Sequence, residues 1–188
     1  MNIFEYDNAV KLMRQFFQDV KGFTEVPSQS RRSILAACED PATISKYEFN
    51  GTVWHLPHTG QMWLEKELLE NPELPGVFCI TTSYRNEPNP IDGRHEKIFP
   101  MFEFESHGNM QDMIELEKEL LDFLGFNNNK TIIEYDSACE VVSKHTKEPC
   151  KILDAEEEEI LQDKLGDTLF VKDFPKRANP FWNMKQYP

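Results

Sequence analysis

The sequence predicts an α+β fold, and three observations carry that reading. Apolar residues recur at helical spacing in two long stretches, at Val10, Met13, Phe16, Phe17 and Val20 and again at Met113, Leu116, Leu120 and Leu124. Two β-rich runs in ISKYEFNGTVWHL flank Asn50-Gly51, a pair that accepts positive φ at both central positions of a tight hairpin turn. A further pair of apolar runs, Val77 to Glu87 and Phe99 to Glu105, stands on either side of a polar loop. Helices mixed with mainly antiparallel strands, without a regular βα alternation, give the α+β class.

The elements follow in order. Asp7 or Asn8 can cap the first helix, which Gly22 closes; FTEV then reads as a short strand before Pro27. The stretch from Ser28 to Ala42, with Arg31, Arg32, Cys38 and Glu39, is irregular and reads as a loop or a broken helix. After the hairpin, Gly60 to Glu70 reads as a helix, Pro72 and Pro75 mark a turn, and the two strands of the polar-loop pair come next. Asn109 caps a helix to Leu124, ended by Gly125. Asp136 opens a shorter helix, Asp154 and Glu157 form a capping box for one ending at Gly166, and TLFVKDF is a last strand. The acidic run Glu156 to Glu159 fits the first turn of that helix, where the dipole favours negative charge.

The totals bound the function. A chain of 188 residues fits a single domain over 1–188, or one piece of a larger one, and 39% hydrophobic residues with fourteen Phe fill a core. Twenty Lys and Arg against 33 Asp and Glu give a net charge of −13, which repels a phosphate backbone and leaves room only for a small anion in a local basic pocket. Cys38, Cys79, Cys139 and Cys150 form no C-x-x-C pair, and Met1 opens no signal peptide, so reduced thiols in a cytoplasm are expected. No apolar run approaches the roughly 20 residues of a membrane span.

The stretch SYRNEPNPIDGRHEKIFPMFEFE, Ser83 to Glu105, is where chemistry is expected. Alternation puts Ser83, Arg85 and Glu87 on one face of the first strand, and Phe99, Met101, Glu103 and Glu105 on one face of the second. Paired antiparallel, the strands offer a guanidinium for a phosphate, a ring on which a base can stack, and carboxylates for amino groups; Arg94 and His95 in the loop add positive charge. The alternative is a surface ladder of ion pairs between Arg85 and the glutamates.

These residues resemble motif 2 of the class II aminoacyl-tRNA synthetases. YRNE matches that family's Phe-Arg-x-Glu, and RHEKIFPMFEFE is similar to the Arg-His-x-x-Glu-Phe-x-x-(Asp/Glu)-x-Glu segment of its asparaginyl and aspartyl branch. LMRQFFQDVKGFTEVPSQS resembles motif 1, and HTGQMWLE resembles the asparaginyl Ser-Gly-Gln-Leu-x-Leu-Glu. IEYDSACEVV and LDAEEEEILQDKLGDTLFVKDFPKRANPFWNMK resemble later segments, so the likeness covers nearly the whole chain. It implies an antiparallel sheet flanked by helices and a homodimer formed through Asp7 to Pro27. It also implies ATP and an amino acid as substrates, with formation of an aminoacyl-adenylate. By position, Arg85 would bind the α-phosphate and stabilise its developing charge, Glu87 would touch the adenine amino group, His95 the outer phosphates, and Phe99 the adenine ring. Gln61 and Glu103 would hold the amino acid's α-amino group, with Glu39 in a loop that closes over it.

The chain also departs from the family pattern. Leu64 stands where the aspartyl branch has a lysine that reads a carboxylate, which turns the expectation from aspartate towards asparagine or another neutral side chain, and Ile98 replaces a usual Glu. No Gly-x-Gly-x-x-x-Arg occurs, so the arginine of motif 3 and the Mg2+-binding carboxylates expected of the family are not found in this sequence. Two readings stand side by side: part of a longer catalytic domain, or a shortened paralogue that binds nucleotide, amino acid or a protein partner without catalysis. A tRNA partner is expected only with further regions, and ammonia is the other acceptor used on this fold.

Overall fold

The structure is a computed structural model that describes residues 2–27, 41–93 and 95–178. Its contacts divide the chain into two compact units, Met1–Gly108 and Asn109–Pro188. Among the described residues no helix is long and apolar enough to cross a membrane.

In the first unit, α1 spans Ile3–Arg14, beginning before the Asp7 or Asn8 cap that the sequence suggested. Asn2 is the cap: its Oδ1 accepts from the N–H groups of Phe4 and Glu5 at 2.9 Å, and Glu5 returns the bond to the Asn2 N–H. The helix then widens over Gln15–Val20 into π-type turns, with the Lys21 N–H donating to the Phe16 carbonyl at 3.0 Å. This widening lets two consecutive aromatics, Phe16 and Phe17, both enter the core.

The expected FTEV strand is β1, Thr24–Glu25, and it runs parallel to β4, Gly76–Tyr84. The other edge of β4 pairs antiparallel with β5, Ile98–Ser106, so this sheet is mixed rather than wholly antiparallel. The β4–β5 register sets Ser83 opposite Phe99, Cys79 opposite Glu103 and Val77 opposite Glu105. One face of this sheet is aromatic: Phe17 lies 5.8, 5.0 and 4.8 Å, ring to ring, from Phe78, Phe102 and Phe104. Burying each such ring contributes about 1.5–3 kcal/mol. Gly76 is required here, because a Cβ would fall 2.4 Å from the Phe23 ring.

The opposite face carries α2, Gln61–Glu70, whose Leu64 and Leu68 pack on Val77 and Cys79. The hairpin forms as its turn residues demand, with β2 at Lys46–Phe49, β3 at Thr52–His55, and φ of 52° at Asn50 and 72° at Gly51.

In the second unit, α3 spans Met110–Phe123 and is capped by Asn109 with Asp112. The inward face differs from expectation: Ile114 is its buried residue, while Met113 is exposed. Strand β6, Lys130–Glu134, runs parallel to β7, Thr168–Lys172, which is the expected TLFVKDF strand. Between them, α4 covers Tyr135–Thr146 and α5 covers Ala155–Leu165, the latter with its Asp154–Glu157 capping box in place. Ala138, Val142 and Leu161 form the core of this unit, with Ile133 and Leu169 against them.

Candidate functional site

The face of β4 and β5 that carries α2 is also the polar one. At its far end Ser83 is fully buried; its Oγ donates to the His58 carbonyl at 2.7 Å and accepts from Arg85 Nε at 3.0 Å. The Arg85 N–H donates to the Lys97 carbonyl at 2.7 Å, and the Asn86 N–H donates to the Thr43 carbonyl at 2.9 Å, so both flanks of the strand end are tied down. The guanidinium carbon lies 5.9 Å from the centre of the Phe99 ring. Among the described residues no carboxylate pairs with Arg85, so the ion-pair ladder is not formed and the two terminal nitrogens keep their donors.

Around this end, Glu87 is half-buried just beyond the strand. His95 is exposed in a folded turn: its Nδ1 accepts from the Ile91 N–H at 3.2 Å and its own N–H donates to the Ile91 carbonyl at 2.9 Å. The Nε2 of that ring therefore carries the proton. Arg94, expected to add positive charge in the loop, and Glu39, a site residue by resemblance, lie outside the described residues.

Four residues along β5, roughly 13 Å away at strand rise, stands Glu103. Its Oε2 accepts from the Gly60 N–H at 2.7 Å and from Thr81 Oγ1 at 2.6 Å, while Oε1 accepts from Thr59 Oγ1. The approach depends on Gly60, where a Cβ would sit 2.8 Å from Thr81 Cγ2 and 3.1 Å from Glu103 Oε2. Thr59 Oγ1 also accepts from the Gln61 N–H at 3.0 Å, so one hydroxyl starts α2 and anchors it to Glu103. The Gln61 side chain reaches Glu105.

Glu105 is the perturbed acid of the face. Burial pushes its carboxyl up to about 7, with smaller upward contributions from Glu65 and Glu103 and a downward one from the Gln61 hydrogen bond. Sequence reasoning placed Glu105 on this face but gave it no role, and it passed over Thr59, Gly60 and Thr81, although HTG stands beside Gln61. Leu64 is fully buried against Val77 and Cys79, so packing in the core accounts for an apolar residue there.

Among the described residues no three His, Cys, Asp or Glu side chains gather where one cation could be shared. Both Glu103 oxygens already accept protein donors and burial pushes the Glu105 carboxyl up to about 7, so these two residues do not fit a protein-held Mg2+ site.

Comparison with solved structures shows the same fold. Asparaginyl-tRNA synthetase from Pyrococcus horikoshii, complexed with asparaginyl-adenylate, superposes with a TM-score of 0.77 at 20% identity over 95% of this chain and 45% of that one. Entamoeba histolytica asparaginyl-tRNA synthetase in complex with asparaginyl-adenylate gives 0.71 at 17% identity over 95% of this chain and 44% of that one. The same enzyme in a second structure gives 0.70 at 18% identity over 89% and 43%. The chain thus spans less than half the length of these relatives. No curated protein sequence matches it significantly. The sequence profile of the class II tRNA synthetases (D, K and N) matches residues 2–187, across both units and through every segment that carries the polar face. On that match the chain belongs to the class II tRNA synthetases of the aspartate, lysine and asparagine group.

Proposed function

We propose that the polar face binds ATP and an amino acid of asparagine type and joins them as an aminoacyl-adenylate. The observation that carries this reading is the pairing of Arg85 with Phe99, on the same face as the Glu103 network and about a nucleotide's reach along the strand. Arg85 has donors left for an anion, and its position beside the ring suits an α-phosphate next to a stacked base.

Glu103 has room for one further donor, since a carboxylate offers about four acceptor positions and three are taken. An α-ammonium completes that set, with the Gln61 amide beside it. An amino acid held so presents its carboxylate towards Arg85, and in-line attack on the α-phosphorus releases pyrophosphate. Arg85 then faces the oxygens on which charge builds, and Glu87 and His95 flank the base and the outer phosphates. Positioning and charge stabilisation supply the rate, without a covalent enzyme intermediate.

The acceptor of the activated amino acid is tRNA or ammonia, tRNA requiring regions beyond this sequence. A homodimer through Asp7 to Pro27 suits α1, which buries none of its residues, and Val20 just beyond it, which is 55% exposed. A second reading, a paralogue that binds without reacting, draws on the extent to which Glu103 is already satisfied by its own chain.

Amino-acid-dependent exchange of pyrophosphate into ATP separates the two. Exchange with asparagine or another neutral amino acid, lost in Arg85→Ala, is the expected result. ATP binding without exchange for any amino acid, in this chain and in any longer natural form, would leave the second reading standing.

A further inference from the structure

The second unit holds two thiols that adenylation chemistry does not use. Cys139 stands in the middle of α4 and Cys150 in the loop after it, and one hydroxyl ties their backbones together. Ser143 Oγ donates to the Cys139 carbonyl at 2.8 Å and accepts from the Cys150 N–H at 2.8 Å. The two thiols adjoin, with Cys139 buried and Cys150 half-buried. Both line a cavity of about 400 Å³ open to solvent, together with Asp136, Ser143, Lys144 and Arg177.

Arg177 gives the two sulfurs different surroundings. Its guanidinium pairs with Asp136, donates to the Lys151 carbonyl at 3.2 Å, lies 5.8 Å from the centre of the Tyr135 ring and also contacts the Cys139 side chain. Burial and the adjoining Cys139 push the Cys150 thiol up to about 11. Cys79, buried in the first unit, is pushed up further, to about 12.

We infer that Cys139 and Cys150 are a reversible dithiol–disulfide pair responsive to hydroperoxides, with Cys139 as the attacking thiol and Cys150 as the resolving one. The Cys139 thiolate attacks one peroxide oxygen, the O–O bond breaks, and a sulfenic acid and hydroxide result. Cys150 then attacks the Cys139 sulfur; the S–O bond breaks, the S–S bond forms, and the departing oxygen leaves as water with the Cys150 proton. In sum two thiols lose two electrons, and hydrogen peroxide is reduced to two waters. The product closes the loop between α4 and Cys150 and removes the thiol that faces Arg177.

The test uses the full chain treated with hydrogen peroxide and mapped without reduction by mass spectrometry. The expected result is a Cys139–Cys150 cross-linked peptide that dithiothreitol reverses and that Cys139→Ser or Cys150→Ser each abolishes. In Cys150→Ser, a sulfenic acid trap should label Cys139. Arg177→Met should slow cross-linking by about tenfold, while Arg177→Lys, which keeps the charge, should stay within about twofold of the parent. Thermal melts of the reduced variants confirm that each is folded. Cross-links confined to Cys38 or Cys79, or over-oxidation of Cys150 without any cross-link, would overturn the pair. Labelling of Cys150 in Cys139→Ser, with none on Cys139 in Cys150→Ser, would overturn the assignment of roles.

Discussion

Glu103 lies on β5 and Arg85 just past the end of β4, and the protein treats them differently. Glu103 is held by Thr59, the Gly60 N–H and Thr81, whereas among the described residues Arg85 gives one side-chain hydrogen bond, to Ser83, and rests over one ring, Phe99. A half-buried carboxylate needs partners to offset lost hydration, and a fixed one needs no reorganisation when an ammonium arrives. An arginine that must meet a phosphate gains from the opposite arrangement, with its stem positioned and its terminal donors unspent. The amino-acid end is therefore built for rigidity and the phosphate end for accommodation, so damage to the first should cost stability and damage to the second should cost rate.

The largest effect tests the second half of that contrast. Arg85→Ala should lower the exchange rate by about 10²–10³-fold, the usual loss when one charge-stabilising donor is removed. Its urea midpoint should stay close to the parent's, because Ser83 still has the His58 carbonyl. A large fall in stability would show that Arg85 is structural and break the comparison.

Gly60→Ala tests the first half. The added methyl meets Thr81 Cγ2 at 2.8 Å, Glu103 Oε2 at 3.1 Å and Cys79 Sγ at 3.2 Å, with the strand behind them. We expect a loss of about 3 kcal/mol in chemical denaturation, at the upper end for overpacking because the Glu103 contact is displaced as well. Unchanged stability would mean that α2 shifts without cost.

Much of this face was legible in the sequence. Strand alternation put Phe99, Glu103 and Glu105 on one face, although β4 ends at Tyr84, before the Arg85 and Glu87 expected in it, and the Asn50-Gly51 hairpin and the Asp154–Glu157 capping box are local devices whose residues state the geometry outright. What escaped is non-local. The partners of Glu103 come from Thr59 and Gly60, more than forty residues away, and no spacing rule links them. Strand β6 is five residues long and is not among the elements expected from the sequence, because its partner β7 begins 34 residues beyond its end. At α1 the competing signals were both valid: Asp7 and Asn8 are good caps, but Asn2 with Glu5 completes a box and won.

Thr81→Val is a smaller version of the Gly60 test, removing one donor from Glu103 at nearly constant shape. Its expected cost is about 2 kcal/mol, the usual value for a bond to a charged group whose partner stays buried. A cost under about 0.5 kcal/mol would mean that Thr59 and Gly60 suffice alone.

Glu105 gives the smallest effect and the one with a sign that pH can read. Its neighbours are Val77 across the ladder, Gln61 and Glu65 on α2, and Glu103 on its own strand, none of them a cation. Burial raises its carboxyl from the ordinary 4.5 to about 7 in the folded chain, so between those values the folded state holds a proton that the unfolded state has lost. Its stabilising contribution is complete below about 4.5 and is lost as pH rises through 7. Because the group keeps partial access to water, the loss is about 1 kcal/mol rather than the full linkage value. Glu105→Gln cannot ionise, so its stability relative to the parent should rise by that amount between pH 5 and pH 8 in matched urea titrations. A relative stability that stays flat with pH would show that Glu105 is ionised throughout. The amino-acid end would then carry two charged carboxylates, and its preference for an ammonium would be stronger than the Glu103 network alone provides.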